Sequence, residues 1–100
     1  MSTKRPANIT IKRLREDTYA EKFSINPWPD GITVATLEVE GLASVAGTLD
    51  AEAKTVEFAI SAPIANGAAA TYDYDVVVTA GGLTRTIVEG SWIIIARAVT

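Results

Sequence analysis

Acidic and aromatic residues alternate in the stretch TYDYDVVV, which begins at Thr71. If this stretch is a strand, Asp73 and Asp75 project from the same face about 7 Å apart. Two such carboxylates could bind Ca²⁺, or act as the acid and base of a glycosidase. Calcium sites take several more oxygens from one loop, however, and the sequence contains no D-x-[DN]-x-[DN]-G loop. We therefore predict that Asp73 and Asp75 form the solvated face of a strand and bind no metal.

Other catalytic groups are missing from the sequence. The chain has 100 residues with no His and no Cys, so the commonest general base and metal ligand is absent, as is any thiolate. Its serines therefore lack an activating histidine, and neither a G-x-S-x-G elbow nor a phosphate-binding glycine loop is present. The sequence predicts a protein that is not an enzyme and that needs no cofactor.

The aromatic residues of the sequence suggest structural roles more than ligand binding. Tyr72 and Tyr74 precede the valines of the penultimate strand, where β-sandwiches often carry a tyrosine corner, a phenol bonded to the backbone across the preceding loop. We favour this role over a sugar-stacking platform, which needs exposed rings. Trp28 lies between two prolines and either caps one end of the fold or anchors an interface. Trp92, which opens the apolar run WIII, is a second interface candidate.

Basic residues are concentrated at the start of the chain. The first five cations are Lys4, Arg5, Lys12, Arg13 and Arg15. The rest of the chain holds twelve acids and only four cations. A basic segment can contact nucleic acid, or the acidic body of a neighbouring copy. We favour the second, because no aromatic residues are interleaved with these cations.

The domain organisation follows from this charge distribution and from the size of the chain. We predict a flexible basic arm over residues 1–7, with Lys4 and Arg5 as interface candidates, and a single domain over residues 8–100. No apolar run approaches the ~20 residues that a membrane span requires, and no apolar stretch follows the basic start as in a signal peptide. The absence of Cys fits maturation in a reducing cytoplasm.

Alternation with a period of two dominates the sequence and predicts strands throughout. The predicted strands are Asn8–Leu14, Thr18–Ile25, Ile32–Gly41, Ser44–Asp50, Thr55–Ser61, Thr71–Thr79 and Leu83–Arg97. Gly81 and Gly82 predict a hairpin turn, and Glu89-Gly90 a bulge in the last strand. About seven antiparallel strands at this spacing predict an all-β fold, an immunoglobulin-like β-sandwich.

Two stretches resemble a known group of proteins. REDTYAEKFSI, from Arg15 to Ile25, resembles the rGDt…f.i opening of small phage virion proteins of the tail and baseplate type, with Glu16 in place of their glycine. TYDYDVVVTAGGLTRTIVEGSWII, from Thr71 to Ile94, resembles their closing hairpin. The resemblance covers about residues 9–97 and is to the immunoglobulin-like N-terminal domain of phage baseplate upper proteins. It implies a scaffold role without catalytic residues.

The sequence thus predicts a non-enzymatic structural component of a phage virion, made in the host cytoplasm. It would belong to the tail or baseplate, or decorate the capsid surface, and would assemble with itself and with other virion proteins. Nucleic acid and membrane are not expected partners. The alternative function is a carbohydrate- or surface-binding β-sandwich module that uses Trp28 and the adjacent loop.

Overall fold

The computed structural model describes residues 7–25 and 28–96, and these residues form an all-β domain. The strands are β1 Ala7–Asn8, β2 Ile11–Leu14, β3 Tyr19–Ser24, β4 Ile32–Val39, β5 Ala43–Ala46, β6 Thr48–Asp50, β7 Thr55–Ile60, β8 Ala70–Ala80 and β9 Leu83–Ile95. One helical turn, α1 Ala62–Ala65, lies in the alanine-rich loop before β8. No helix in the described part of the chain is long and apolar enough to span a membrane.

The strands form two sheets. The larger sheet has the order β1-β9-β8-β4-β5, with β2 also paired to β9, and the smaller has the order β3-β7-β6. The prediction of antiparallel pairing alone is wrong, because β1 and β2 run parallel to β9. Ala7 pairs with Val88 and belongs to β1, so the last residue of the predicted arm is part of the sheet. Residues 1–6, with Lys4 and Arg5, lie outside the described residues.

A glycine divides the predicted strand Ser44–Asp50 between the two sheets. β5 pairs with β4 in the larger sheet, and β6 pairs with β7 in the smaller. Gly47 lies between them, and a Cβ there would come within 2.6 Å of the side chains of Val56 and Phe58. Only glycine lets the backbone cross so close to the core. The local alternation of residues 44–50 does not reveal this change of sheet.

A second glycine explains why the first predicted strand is interrupted. Ile9 and Thr10 separate β1 from β2, and a Cβ at Gly90 would overlap the Ile9 carbonyl group. Close approach is maintained by the Ile9 amide, which donates to the Glu89 carbonyl at 3.0 Å. The predicted bulge at Glu89-Gly90 is misplaced, because these residues pair regularly with Asp75 and Tyr74. The register shift instead falls between Val88 and Thr86.

The two sheets enclose one hydrophobic core. Its largest fully buried members are Leu37, Val39, Val56, Phe58, Ile60, Ile64, Val76, Val78 and Trp92. On β4, β7 and β8 the buried side chains alternate with exposed or half-buried ones, as the period of two predicts. The hairpin turn between β8 and β9 is also confirmed, because Gly81 and Gly82 have φ values of 58° and 79°, which suit a two-residue turn.

Candidate functional site: an acidic groove on the larger sheet

Five carboxylates line a groove of about 570 Å³ on the outer face of the larger sheet. They are Glu38, Glu40, Asp73, Asp75 and Glu89. Asn8, Ser91 and the backbone around Tyr74 and Gly90 complete the lining. The solvated face predicted for Asp73 and Asp75 is therefore part of a larger acidic surface, which we call the acidic groove.

Strand pairing places three of these carboxylates side by side. Asp75 on β8 lies opposite Glu38 on β4 and opposite Glu89 on β9. Directly opposed residues have Cβ atoms about 5 Å apart, where like charges repel. Partial burial, together with the charges of Glu38 and Glu89, raises the pKa of Asp75 above its usual value. The row therefore favours the uptake of a proton or the approach of a cation.

The other two carboxylates extend the groove along the strands. Asp73 lies opposite the uncharged Ser91. The carbonyl group of Asp73 accepts a hydrogen bond from the Glu40 amide at 2.9 Å. This bond places Glu40, just beyond the end of β4, beside the second acid of β8. The acidic groove thus runs from Asn8 on β1 across β9 and β8 to the end of β4.

No cation of the described residues forms an ion pair with any of these five carboxylates. The ion pairs seen among the described residues lie elsewhere, between Arg13 and Glu21, Arg15 and Glu16, and Lys22 and Glu57. Within the same residues, no group of three acids is arranged to hold a metal ion. The charge of the acidic groove is therefore not compensated by the described residues that surround it.

Both tyrosines of β8 donate hydrogen bonds to backbone carbonyls, but only the bond of Tyr72 crosses the preceding loop as the sequence predicts. The Tyr72 hydroxyl donates to the Ala68 carbonyl at 2.6 Å, which is the tyrosine-corner contact. The Tyr74 hydroxyl donates to the Ile9 carbonyl at 2.7 Å, and its ring is buried. Burial, with a smaller contribution from Glu21, raises the pKa of Tyr74 to about 12. Tyr74 thereby fastens the N-terminal strands to the sheet.

Trp92 belongs to the core and not to a surface. Its side chain is 1% exposed, packs edge-on against Tyr74 at 5.5 Å, and stacks with Tyr19 of the smaller sheet at 6.4 Å. The prediction of Trp92 as an interface residue is corrected accordingly. Trp28 is half-buried and packs against the core, which favours its predicted role as a cap.

The sequence does not reveal a further cluster at the edge of this aromatic layer. Arg13 lies 4.5 Å from the centre of the Tyr19 ring and forms an ion pair with Glu21 at 3.1 Å. Burial raises the pKa of Tyr19 to about 12, although the neighbouring guanidinium favours the phenolate. One of the basic residues at the start of the chain is thus already engaged within the domain.

The comparisons with known proteins assign no function to the acidic groove. No protein family model matches the chain, and the search of curated proteins finds no match.

Proposed function

We propose that this chain is a non-enzymatic structural subunit of a phage virion, and that it has an immunoglobulin-like sandwich fold. It assembles with other copies of itself and with other virion proteins, in the tail, in the baseplate or on the capsid surface. The contact between copies is head-to-tail: the basic N-terminal residues of one copy meet the acidic groove of the next.

Three structural features support the fold part of this proposal. A four-strand run, β9-β8-β4-β5, faces the strands β3-β7-β6, and the N-terminal strands lie beside the last strand. The Tyr72 hydroxyl makes the tyrosine-corner contact at the start of the penultimate strand. Glu16, which replaces the glycine of the phage motif, has a φ of 75°. That is the left-handed conformation in which glycine is favoured, and a glycine at this position of the phage motif would adopt it readily, which supports the proposal.

The observation that carries the assembly proposal is the uncompensated charge of the acidic groove. The acidic groove places five carboxylates together. Lys4 and Arg5, in contrast, belong to the basic segment at the start of the chain. Complementary charge on two parts of one chain favours a heterologous contact, which closes into a ring or continues as a filament. A virion component needs such a repeating contact.

The assembly proposal is tested by sedimentation velocity of the full chain at low and high salt. We expect association at low salt that weakens as salt screens the contact. The double substitution Glu38→Gln/Glu89→Gln should abolish it, as should deletion of residues 1–6. Asp30→Asn/Glu52→Gln is the matched control, because both side chains are exposed in turns outside the acidic groove and the change in net charge is the same. A control that weakens association as much as the groove variant would contradict the proposal.

The virion placement has its own test. If the chain is a virion component, its gene should lie among capsid or tail genes, and mass spectrometry should find it in purified particles. Deletion of residues 1–6 should reduce its incorporation into those particles, while the melting temperature of the isolated protein stays nearly the same. A protein that is absent from particles but retains glycans on an array would favour the alternative, a carbohydrate-binding module.

A further inference from the structure

One edge of the larger sheet is open and carries no charge. β5, with the sequence ASVA, pairs with β4 on one side and is the last strand of the sheet on the other. It contains no Lys, no Pro and no bulge, which are the devices that usually prevent an edge strand from pairing with another chain. The backbone groups of this strand are therefore available to an additional strand.

The other described edge strands are protected. β2 carries Lys12 and Arg13 and is separated from β1 by the break at Ile9. β3 carries Lys22, which forms an ion pair with Glu57. β6 has only three residues and ends at Asp50, and β1 has only two residues. Among the described edges, β5 therefore carries the fewest of these protective features.

The register shows which backbone groups of β5 face outward. The Gly47 amide donates to the Ala35 carbonyl at 2.8 Å, which identifies Ala35 and Gly47 as a hydrogen-bonded pair of the β4–β5 ladder. Hydrogen-bonded and non-hydrogen-bonded pairs alternate along an antiparallel ladder. Ser44, opposite Glu38, and Ala46, opposite Thr36, are therefore in non-hydrogen-bonded positions. Their N–H and C=O groups point away from β4, toward the open edge.

This open edge adjoins the acidic groove. The Ser44 hydroxyl donates to a Glu38 carboxylate oxygen at 3.4 Å, and Glu38 and Glu40 are both groove residues. A strand added to β5 would thus lie two strand spacings, about 10 Å, from Glu38, which is within reach of a long basic side chain on the outer face. Backbone pairing and charge attraction would act on the same segment.

We propose that the residues preceding Ala7 in one copy add as an extra strand to β5 of a second copy. Because neighbouring side chains of a strand point to opposite faces, one of Lys4 and Arg5 then lies on the outer face, toward Glu38 and Glu40. This inference rests on the proposed head-to-tail assembly and specifies its contact. The segment must come from another copy. In the same chain, Ala7 lies at the opposite edge of the sheet, so the position beyond β5 is five strand spacings away, about 24 Å. Six extended residues reach only about 20 Å, with nothing left to run along β5.

The test compares Ser44→Pro with Ser44→Ala in the full chain. Proline removes the outward N–H of Ser44, which has no partner strand in the described domain, whereas alanine removes only the hydroxyl. Proline is tolerated at such edge positions, and thermal melting checks that both variants fold. In sedimentation experiments we expect Ser44→Pro to weaken association by about tenfold or more and Ser44→Ala to leave it nearly unchanged.

Amide hydrogen exchange on the unmodified chain provides an independent measurement, should the proline variant fail to fold. The amides of Ser44 and Ala46 should exchange quickly in dilute monomer and slowly in the associated form. Continued rapid exchange of both amides in the associated form would overturn the inference.

The remaining outcomes separate this inference from the proposed function. If charge neutralisation of the acidic groove abolishes association but Ser44→Pro does not, the head-to-tail contact stands and the added strand is wrong. If Ser44→Pro abolishes association while Lys4→Gln/Arg5→Gln does not, β5 pairs with β5 of the second copy, and both proposals are wrong. If the chain never associates, the proposed assembly fails, and the added strand fails with it.

Discussion

The two faces of β8 differ in whether their polar and charged groups find partners within the domain. On the inner face, Tyr74 packs against Trp92 and donates its hydroxyl to the Ile9 carbonyl. On the outer face, Asp75 stands between Glu38 and Glu89 with no cation of the described residues bound to it. The inner face is complete within one copy and serves stability. The outer face has negative charge that no cation of the described residues offsets, which is consistent with the proposed contact with a second copy.

The largest expected effect comes from breaking the inner face. Tyr74→Ala removes a buried ring and leaves the Ile9 carbonyl without its donor, so it should lower the free energy of unfolding by about 3 kcal/mol or more. Chemical denaturation followed by tryptophan fluorescence measures this, because Trp92 touches the missing ring. Unchanged stability would mean that the ring is not part of the core.

A subtler substitution separates the hydroxyl from the ring. Tyr74→Phe keeps the packing and removes only the bond to Ile9, so we expect a loss of about 1 kcal/mol. The exchange of amides in β1 and β2 should accelerate, since this bond fastens those strands to β8. Tyr72→Phe is the matched control: it removes the bond to Ala68 and should leave the exchange of β1 and β2 unaffected. Equal effects of the two variants on β1 and β2 would contradict the fastening role.

On the outer face, removal of charge should stabilise the protein slightly. Asp75→Asn relieves the repulsion from Glu38 and Glu89, and we expect a gain of about 0.2–1 kcal/mol at neutral pH. Asp73→Asn is the matched control, because Asp73 is exposed and lies opposite Ser91. Its effect should stay below about 0.5 kcal/mol. Urea denaturation of the two variants compares them directly, and a clear loss of stability in Asp75→Asn would show that the carboxylate has a favourable partner.

The same residue predicts the direction of a pH effect. The pKa of Asp75 is raised in the folded protein above its model-compound value of 3.8, so the folded state binds this proton more tightly than the unfolded state does. The contribution to stability is fully present below pH 3.8, and it is lost as pH rises through the folded pKa. Asp75→Asn should remove this part of the pH dependence, whereas a profile identical to that of the unmodified protein would contradict the assignment.

The inner face of β8 could be predicted from the sequence, and the acidic groove could not. Alternation in residues 71–79 assigns Tyr74, Val76 and Val78 to the core, because successive side chains on a strand point to opposite faces. The row of Glu38, Asp75 and Glu89 depends on how three strands pair, and that register is set by the packing of the whole sheet. Each carboxylate alone looks like an ordinary solvated side chain.

Two further predictions fail for the same reason. The apolar run that begins at Trp92 suggests that the last strand has apolar side chains to spare for an interface. In the structure, β9 lies between β8 and the N-terminal strands, and the indole of Trp92 fills the core. The alternation from Ser44 to Asp50 continues through Gly47, although the chain changes sheets there. The close approach to Val56 and Phe58 that requires this glycine exists only in the folded domain.

Exchange of charge between two variants tests the head-to-tail contact most directly. One variant carries Lys4→Glu/Arg5→Glu, and the other carries Glu38→Lys/Glu89→Lys. Each variant keeps one half of the contact, so complementary partners meet only in a mixture: the intact basic segment of the second variant fits the intact acidic groove of the first. Sedimentation of each variant alone should show no association at low salt, and an equal mixture should associate. Two variants that associate alone, or a mixture that stays monomeric although both variants are folded, would contradict the account.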